Sequence, residues 1–350
     1  MKTRIIFLFA LAVSLLFSTN SFAQGCEDDA APASGAAAGA NNMTPVVFGF
    51  FQPEYDYHFA DPDNDNSFYF KRARLGVRGK VSRSFSYYVM LEASDFIASD
   101  GNVYLLDAFV TYTKSDMFKV SMGSFKQPFG LEVETPCHGL TTINRSIVSN
   151  QLVSPQRDIG ATILGKNDKF RYALALMNGR GLGIKDNNNK KDVIGRANYK
   201  LFDFMSVGAS FRYGYPNNDD NDRTTYGFEA QLNYKGFNLQ GEYIHDEGDY
   251  NRAAEGGCGS TPMELGEQRQ GAYLMAWYAP EDSKLHPVFK YEYFDADLDT
   301  KILGYQELMT FGLNYFFNDK TRVQLNYEYY VEPGDNSYDS ALLMQVQVKF

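Results

Sequence analysis

The chain has 350 residues, a net charge of −10 at pH 7 and an aromatic content of 15%, with 25 Tyr and 28 Phe against one Trp. The acidic total and the lack of a Gly-rich phosphate loop followed by a helix argue against a nucleic-acid-binding or nucleotide-binding protein. No apolar run outside the N-terminus is long enough for a spanning helix. A bilayer could therefore be crossed only by a closed barrel, which pairs its backbone groups between strands.

Residues 1–23 predict a cleaved secretory signal peptide. Lys2 and Arg4 give a positive start, an apolar core follows, and Ser21 and Ala23 place small residues at the cleavage site. Residues 24–44 are small, polar and low in complexity, which predicts a flexible periplasmic leader. The folded part is expected to span residues 45–350.

The chain has three cysteines, Cys26, Cys137 and Cys258, and no two of them have metal-ligand spacing. Cys137 and Cys258 fall in predicted loops and could pair in an oxidising compartment, which the sequence leaves open. Cys26 follows a poor match to a lipoprotein acylation site, so its lipidation stays an alternative. His138 beside Cys137 gives too few ligands for a metal site, and no metal or cofactor is predicted.

Apolar and polar residues alternate along most of the folded part. In Phe70–Val81, one face is mostly apolar and the other carries Arg72, Arg74, Arg78 and Lys80. We count about sixteen such stretches of near ten residues, the length of a tilted membrane strand. They start near residues 46, 68, 85, 103, 118, 158, 169, 192, 205, 224, 236, 271, 285, 307, 321 and 341.

Short connections alternate with long loops rich in Asp, Asn and Gly, as in outer-membrane barrels. The last stretch, Leu342–Phe350, ends on an aromatic residue that suits an interface girdle. The predicted fold is all-β, a membrane-spanning antiparallel β-barrel of about 16 strands. A soluble β-sandwich is the alternative.

The alternation stops between Pro128 and Arg157. A compact domain rarely carries so long a connection unless it is functional. Several of its residues would be poorly placed in water, so residues 128–157 predict an infolded constriction loop; a surface excursion over a sandwich is the alternative. These apolar residues are Leu131, Val133, Leu140, Ile143, Ile147, Val148, Leu152 and Val153.

Cations are concentrated on the polar faces of the strands and around this loop. Rings of Arg and Lys favour anions in a narrow passage, and Arg can grip phosphate oxygens with a planar fork. Acids on the same faces would pair with some of them, so a salt-bridged wall without preference is the alternative. The candidate pore-lining, anion-binding residues are Arg72, Arg74, Arg78, Lys80, Lys126, Arg145 and Arg157; the acids are Glu92, Asp107, Asp158, Glu229, Glu242, Glu292 and Glu328.

Enzyme signals are weak. The four His residues are isolated in sequence, and no G-x-S-x-G nucleophile motif is present. The chain is expected not to be an enzyme and to have no catalytic residue.

Six segments of the chain carry a resemblance to a known family: FKRARLGVRGKVSRSFSYYVMLEAS, LLDAFVTY, GSFKQPFGLE, RSIVSNQLV, RDIGATILGK and FRYALALMNGRG. They resemble the phosphate-selective porin O and P family of Gram-negative outer membranes. The resemblance is strongest over residues 70–181 and continues loosely to Phe350. It implies a sixteen-stranded barrel, usually a homotrimer, whose constriction loop lies between GSFKQPFGLE and RDIG. Arg72, Arg74, Lys126, Arg145 and Arg157 match its motif words. The loop carries Glu132 and Glu134 and no Lys, which departs from the family's phosphate-binding pattern.

These observations predict a passive outer-membrane channel, embedded in outer-membrane lipid, for small hydrophilic solutes and anions such as phosphate. Its rivals are a non-selective general porin, a plugged barrel used as a surface adhesin or structural protein, and a barrel hydrolase.

Overall fold

The computed structural model describes residues 43–60, 63–97, 101–182, 185–250, 263–300, 305–332 and 340–350. The predicted signal peptide, most of the predicted leader, Cys26 and Cys258 lie outside these residues. Across the described residues, sixteen antiparallel strands form one closed barrel in which each strand pairs with the next and β1 pairs with β16. The strands are β1 Val46–Phe59, β2 Asp65–Lys80, β3 Phe85–Glu92, β4 Tyr104–Ser115, β5 Phe118–Lys126, β6 Arg157–Lys166, β7 Phe170–Met177, β8 Asp192–Phe202, β9 Met205–Gly214, β10 Arg223–Tyr234, β11 Phe237–Gly248, β12 Gln268–Tyr278, β13 Leu285–Asp295, β14 Tyr305–Asn318, β15 Thr321–Glu332 and β16 Ser340–Lys349.

Alternation along each strand sets the two surfaces of the barrel. In β2, Leu75 is 48% exposed on the outside, whereas Arg72 and Arg74 are 2% and 1% exposed on the inside. Successive side chains of a strand point to opposite faces, so an apolar outer surface requires a polar inner one. The predicted strand number and fold class are confirmed, and every predicted strand start lies within three residues of the observed one.

Phe350 pairs with β1 where the barrel closes. Phe350 donates its backbone N–H to the carbonyl of Gly49 at 3.0 Å, and its carbonyl accepts the N–H of Gly49 at 3.2 Å. The Phe350 ring packs against that of Phe51, with 5.7 Å between ring centroids. Phe350 thus extends the pairing between β1 and β16.

Among the described residues, three short α-helices lie in the connections between strands. Helix α1 (Ser94–Ile97) follows β3, while α2 (Leu131–Glu134), a single 3₁₀ turn (Cys137–Gly139) and α3 (Ile147–Leu152) lie between β5 and β6. The sequence predicted no helix there, because elements of three to six residues are too short to show a 3.6-residue period. No helix in the described part of the chain is both long and apolar enough to span a bilayer.

Candidate functional site

The inner segment, residues 127–156 between β5 and β6, lies inside the barrel. Side chains from β1, β9, β11, β13, β14, β15 and β16 hydrogen-bond to it. These strands are distributed around the closed barrel, so the inner segment crosses the lumen. It corresponds to the predicted constriction loop shifted by one residue, because Arg157 already begins β6.

A buried glutamate of β11 holds the first helix of the inner segment. Glu242, 4% exposed, accepts the backbone N–H of Leu131 at 3.1 Å and that of Glu132 at 3.3 Å. These N–H groups open α2 and have no partner within the helix. Gly130 has φ +70°, and a Cβ there would overlap the Glu242 carboxylate. The glycine therefore allows the backbone to wrap around the carboxylate.

Two further carboxylates fix α3. Glu132 Oε2 accepts the Ser146 N–H and hydroxyl, each at 2.6 Å, and so ties α2 to the start of α3. Glu292 of β13 accepts the Ile147 N–H at 2.6 Å. Negative charge at a helix N-terminus is favourable, so these contacts orient both helices.

Arginines hold the far end of the inner segment. Arg212 and Arg223 donate to the Ser154 carbonyl at 3.1 and 2.7 Å. Each is itself paired with an aspartate, Arg212 with Asp192 at 2.6 Å and Arg223 with Asp246 at 2.8 Å. A buried guanidinium needs such pairing because an isolated buried charge is costly.

The three candidate cations near the inner segment are all buried and bonded within the protein. Lys126 donates to the carbonyls of Val133 at 2.8 Å and Thr135 at 3.1 Å. Arg145 donates to the carbonyls of Glu132 and Thr135 at 2.9 and 2.6 Å. Arg157 pairs in a fork with Asp107, at 3.0 and 3.3 Å. Their contacts shape the inner segment and anchor its base.

The four candidate cations of β2 have different surroundings. Arg74 pairs with Glu92 of β3 at 2.6 Å, so the acid missing from its own strand comes from the neighbouring one. Arg72 donates to Gln52 at 3.0 Å, Arg78 lies over the Phe48 ring at 5.0 Å, and Lys80 is exposed at the end of β2. The structure thus places the β2 cations on one wall and the other three candidates around the inner segment.

Several charged residues of the site were not among the candidates. Of the predicted acids, Glu92, Asp107, Glu229 and Glu292 do pair with lumenal cations. The alternation along each strand assigns these carboxylates and cations to the inner face. Which of them pair depends on the register between neighbouring strands, and the sequence of a single strand does not show that register. The additional buried cations are Arg196, Arg212, Arg223, Arg269, Lys290 and Arg322.

The lumen is lined unevenly. An apolar cluster joins the inner segment to β3, β4, β7, β8, β11, β12 and β13. On the side formed by β14, β15, β16, β1 and β2, most inward residues are amides, hydroxyls and charged groups. They include Thr310, Asn314, Arg322, Gln324, Asn326, Gln345, Gln347, Gln52 and Arg72.

The described side chains of the site include one cysteine and no metal-ligand cluster. Within the described ranges, no group of three or more His, Cys, Asp or Glu side chains could hold a metal ion. Cys137 is buried, and its Sγ accepts from Arg74 Nη1 at 3.1 Å and Arg145 Nη1 at 3.4 Å. Its pairing with Cys258 lies outside the described residues. A charged, inwardly folded segment in a barrel suits selective passage of solutes rather than bond chemistry.

The sequence profile described as phosphate-selective porin O and P matches residues 49–252. No curated protein matches the chain.

Solved porins share the fold. An anion-selective porin from Comamonas acidovorans is 12% identical, with a TM-score of 0.62 over 88% of this chain and 99% of that one. Salmonella typhi OmpF, in complex with daunomycin, is 13% identical, with a TM-score of 0.66 over 87% and 97%. In-vitro folded OmpT of Vibrio cholerae, in a trimer form, is 14% identical, with a TM-score of 0.61 over 88% and 99%.

Proposed function

We propose that this chain, which belongs to the phosphate-selective porin O and P family and is an outer-membrane porin, conducts small hydrophilic solutes with a preference for anions such as phosphate. The family is one of channels and not of enzymes. Transport would be passive, down the solute gradient, with no cofactor. We further propose that residues 1–23 direct export and that the barrel assembles as a homotrimer, as the trimer form of the Vibrio cholerae protein suggests.

The observation that carries the anion preference is a pair of arginines that have no carboxylate partner among the described residues. Arg72 donates to Gln52 at 3.0 Å, Arg322 donates to Gln347 at 3.0 Å, and Gln52 donates to Gln347 at 2.8 Å. Each Nε of the two arginines is buried with no hydrogen-bond partner in the described part of the chain. Two guanidiniums bridged only by neutral amides leave uncompensated positive charge in the lumen wall.

The alternative function that has support from the structure is that of a non-selective porin. Arg74, Arg157, Arg196, Arg212 and Lys290 are each neutralised by a carboxylate within 3.0 Å. If such pairs dominate the potential in the lumen, salt would pass without preference. Single-channel recording in planar bilayers separates the two: a phosphate-blockable, anion-selective conductance supports the proposal, and a large ohmic conductance without ion preference supports the rival.

Replacing Arg72, Arg74 and Arg78 with Ala should shift the reversal potential in a salt gradient toward cations. A unit charge about 4 Å from an ion contributes about 1 kcal/mol even in water, in favour of an anion and against a cation, so Arg72→Ala alone should lower the anion-to-cation permeability ratio about thirtyfold. The double variant Arg74→Gln with Glu92→Gln is the control, because it removes a neutral pair and should retain wild-type selectivity. An unchanged potential in the triple variant would remove these residues from the mechanism.

Anion preference should also rise as the pH falls. Burial raises the pKa of the Glu134 carboxyl, and the nearby Arg196, Arg171 and Lys126 offset this only in part. Glu134 therefore takes up its proton at a higher pH than an exposed Glu, and the lumen loses negative charge there. The check is the reversal potential measured over a pH series. Near neutral pH, the Glu134→Gln variant should already show the value that the wild type reaches only at low pH. A variant that follows the wild type at every pH would contradict this role.

A further inference from the structure

We propose that solutes cross between one arm of the inner segment, residues 137–144, and the inner faces of β14, β15 and β16, and that Asn314, Gln324 and Gln345 determine which solutes pass. This inference rests on the proposed function, since it locates the route of an outer-membrane porin. It assigns a new role to three neutral residues and makes the arm the movable side of the passage.

The two parts of the inner segment are held by different kinds of contact. Helices α2 and α3 contribute Val133, Val148 and Leu152 to the apolar cluster and are fixed by Glu242 and Glu292. Moving these helices would expose apolar surface and leave buried charges without their partners. No solute route is expected through that side of the lumen.

The arm has two kinds of contact with the barrel wall. At its ends, the Cys137 Sγ accepts from Arg74 and the Asn144 amide donates to Glu328 at 3.0 Å, whereas between these anchors the bonds go to backbone carbonyls. Gln324 Nε2 donates to the Leu140 and Thr141 carbonyls at 3.4 and 3.2 Å, and Asn314 Nδ2 to the Thr141 carbonyl at 3.0 Å. Arg322 and Gln347 bond to the His138 carbonyl at 3.1 and 3.2 Å.

Water can replace each bond from an amide at little net cost, and the bond from the charged Arg322 at a larger one. The arm's apolar contacts are a small cluster of Ile143 with Ala341 and Leu343 and the His138 ring against Phe50, and Leu140 is also buried. Displacement of residues 138–143, between the anchors at Cys137 and Asn144, is therefore easier than displacement of α2 or α3.

Three unused acceptors lie under the arm on one level of the barrel. Asn314 faces Gln324 across β14–β15, and Gln324 faces Gln345 across β15–β16. The amide nitrogen of Gln345 donates to Glu54 at 2.7 Å, and those of Asn314 and Gln324 donate to the Thr141 carbonyl. Because each of these partners can only accept, the other atom of each amide is identified as its oxygen.

Asn314 Oδ1, Gln324 Oε1 and Gln345 Oε1 are buried with no hydrogen-bond partner in the described ranges. A buried acceptor without a donor is unfavourable, which favours an open arm with these oxygens hydrated or bound to solute.

The chemistry of this row selects for hydrogen-bond donors. Neighbouring strands are about 4.8 Å apart, so the three side chains leave the wall at about that spacing and carry their oxygens on adjacent strands. Hydroxyl groups of a polyol or sugar can donate to successive oxygens of the row. The solute class assigned to this row is therefore small hydroxyl-rich molecules.

Cysteine accessibility tests the route. Gln324→Cys is compared with Gln240→Cys, a lumenal amide on β11 that bonds to Tyr273 at 2.6 Å, in a background with Cys26, Cys137 and Cys258 changed to Ser. A negatively charged methanethiosulfonate is added during single-channel recording.

We expect conductance to fall by more than half for Gln324→Cys and to stay unchanged for Gln240→Cys. No effect on Gln324→Cys, or an equal effect on both variants, would overturn the route. An unmodified protein without any conductance would instead overturn the proposed function, and the inference with it.

Solute selectivity provides a second test. The double variant Gln324→Leu with Gln345→Leu should slow arabinose entry in liposome swelling severalfold while chloride conductance changes less than twofold. Gln240→Leu is the matched control, and the migration of unheated samples on a detergent gel shows that each variant is folded. Equal losses of arabinose and chloride flux would overturn the role of the acceptor row.

Discussion

Replacement of Asp107 with Ala is expected to destabilise the barrel by about 3–5 kcal/mol, because it removes the carboxylate that pairs with the buried Arg157 guanidinium. Both side chains are 0% exposed, and they meet in a forked pair at 3.0 and 3.3 Å. The pair joins β4 to the first residue of β6 and so fixes the point where the inner segment returns to the wall. Urea unfolding in lipid vesicles, followed by tryptophan fluorescence and by gel migration, measures the loss.

Two controls separate the buried charge from the substitution itself. The double variant Asp107→Leu with Arg157→Met removes both charges, and we expect most of the lost stability to return. Asp203→Ala breaks an exposed pair with Lys200, where the two side chains are 98% and 43% exposed, and should leave unfolding unchanged. If Asp107→Ala unfolds like the wild type, the pair does not stabilise the fold.

The barrel was predictable from the sequence because each strand encodes its own two faces. In β2 the alternation of Leu75 with Arg72 and Arg74 assigns the outer and inner faces without knowledge of any other strand. The interruption near Pro128 is equally local, since the alternation simply stops. Strand number, strand starts and the existence of an inner segment follow from such local patterns.

The internal contacts of the site could not be predicted in the same way. Arg74 meets Glu92, which is 18 residues away, and Arg157 meets Asp107, which is 50 residues away. Such pairs depend on the stagger of neighbouring strands and on the path of the inner segment. The sequence gives the list of inward charges, but their pairing, and hence the net potential, requires the three-dimensional register.

Glu242 illustrates the same limit. The sequence places it on a polar strand face, where pairing with a cation is the natural expectation. In the structure it also accepts two backbone N–H groups of the inner segment, more than 100 residues earlier in the chain. A glutamate that positions a helix has no local pattern to reveal it, although Gly130 beside a Pro–Phe pair marks a backbone of unusual conformation.

Replacement of Glu242 with Ala should release α2 and enlarge the passage. The Leu131 and Glu132 N–H groups would lose their acceptor, at a cost of about 1–3 kcal/mol for each buried donor left without a partner. Because Glu132 links α2 to Ser146, the start of α3 should also lose its position. Single-channel recording should show a higher and noisier conductance for Glu242→Ala than for the wild type. Glu242→Gln keeps one acceptor oxygen, so its conductance should lie between those of the wild type and Glu242→Ala.

The close approach of Gly130 to Glu242 allows this positioning role to be separated from a general loss of structure. Gly130→Ala places a Cβ against the carboxylate at a backbone φ of +70°, so it should disturb the inner segment in the wild-type background. With Glu242→Ala the overlap is gone, and only the backbone strain remains. The two changes should therefore be non-additive in conductance and in stability, as expected for groups in direct contact. Additive effects would mean that Glu242 does not hold the inner segment through this contact.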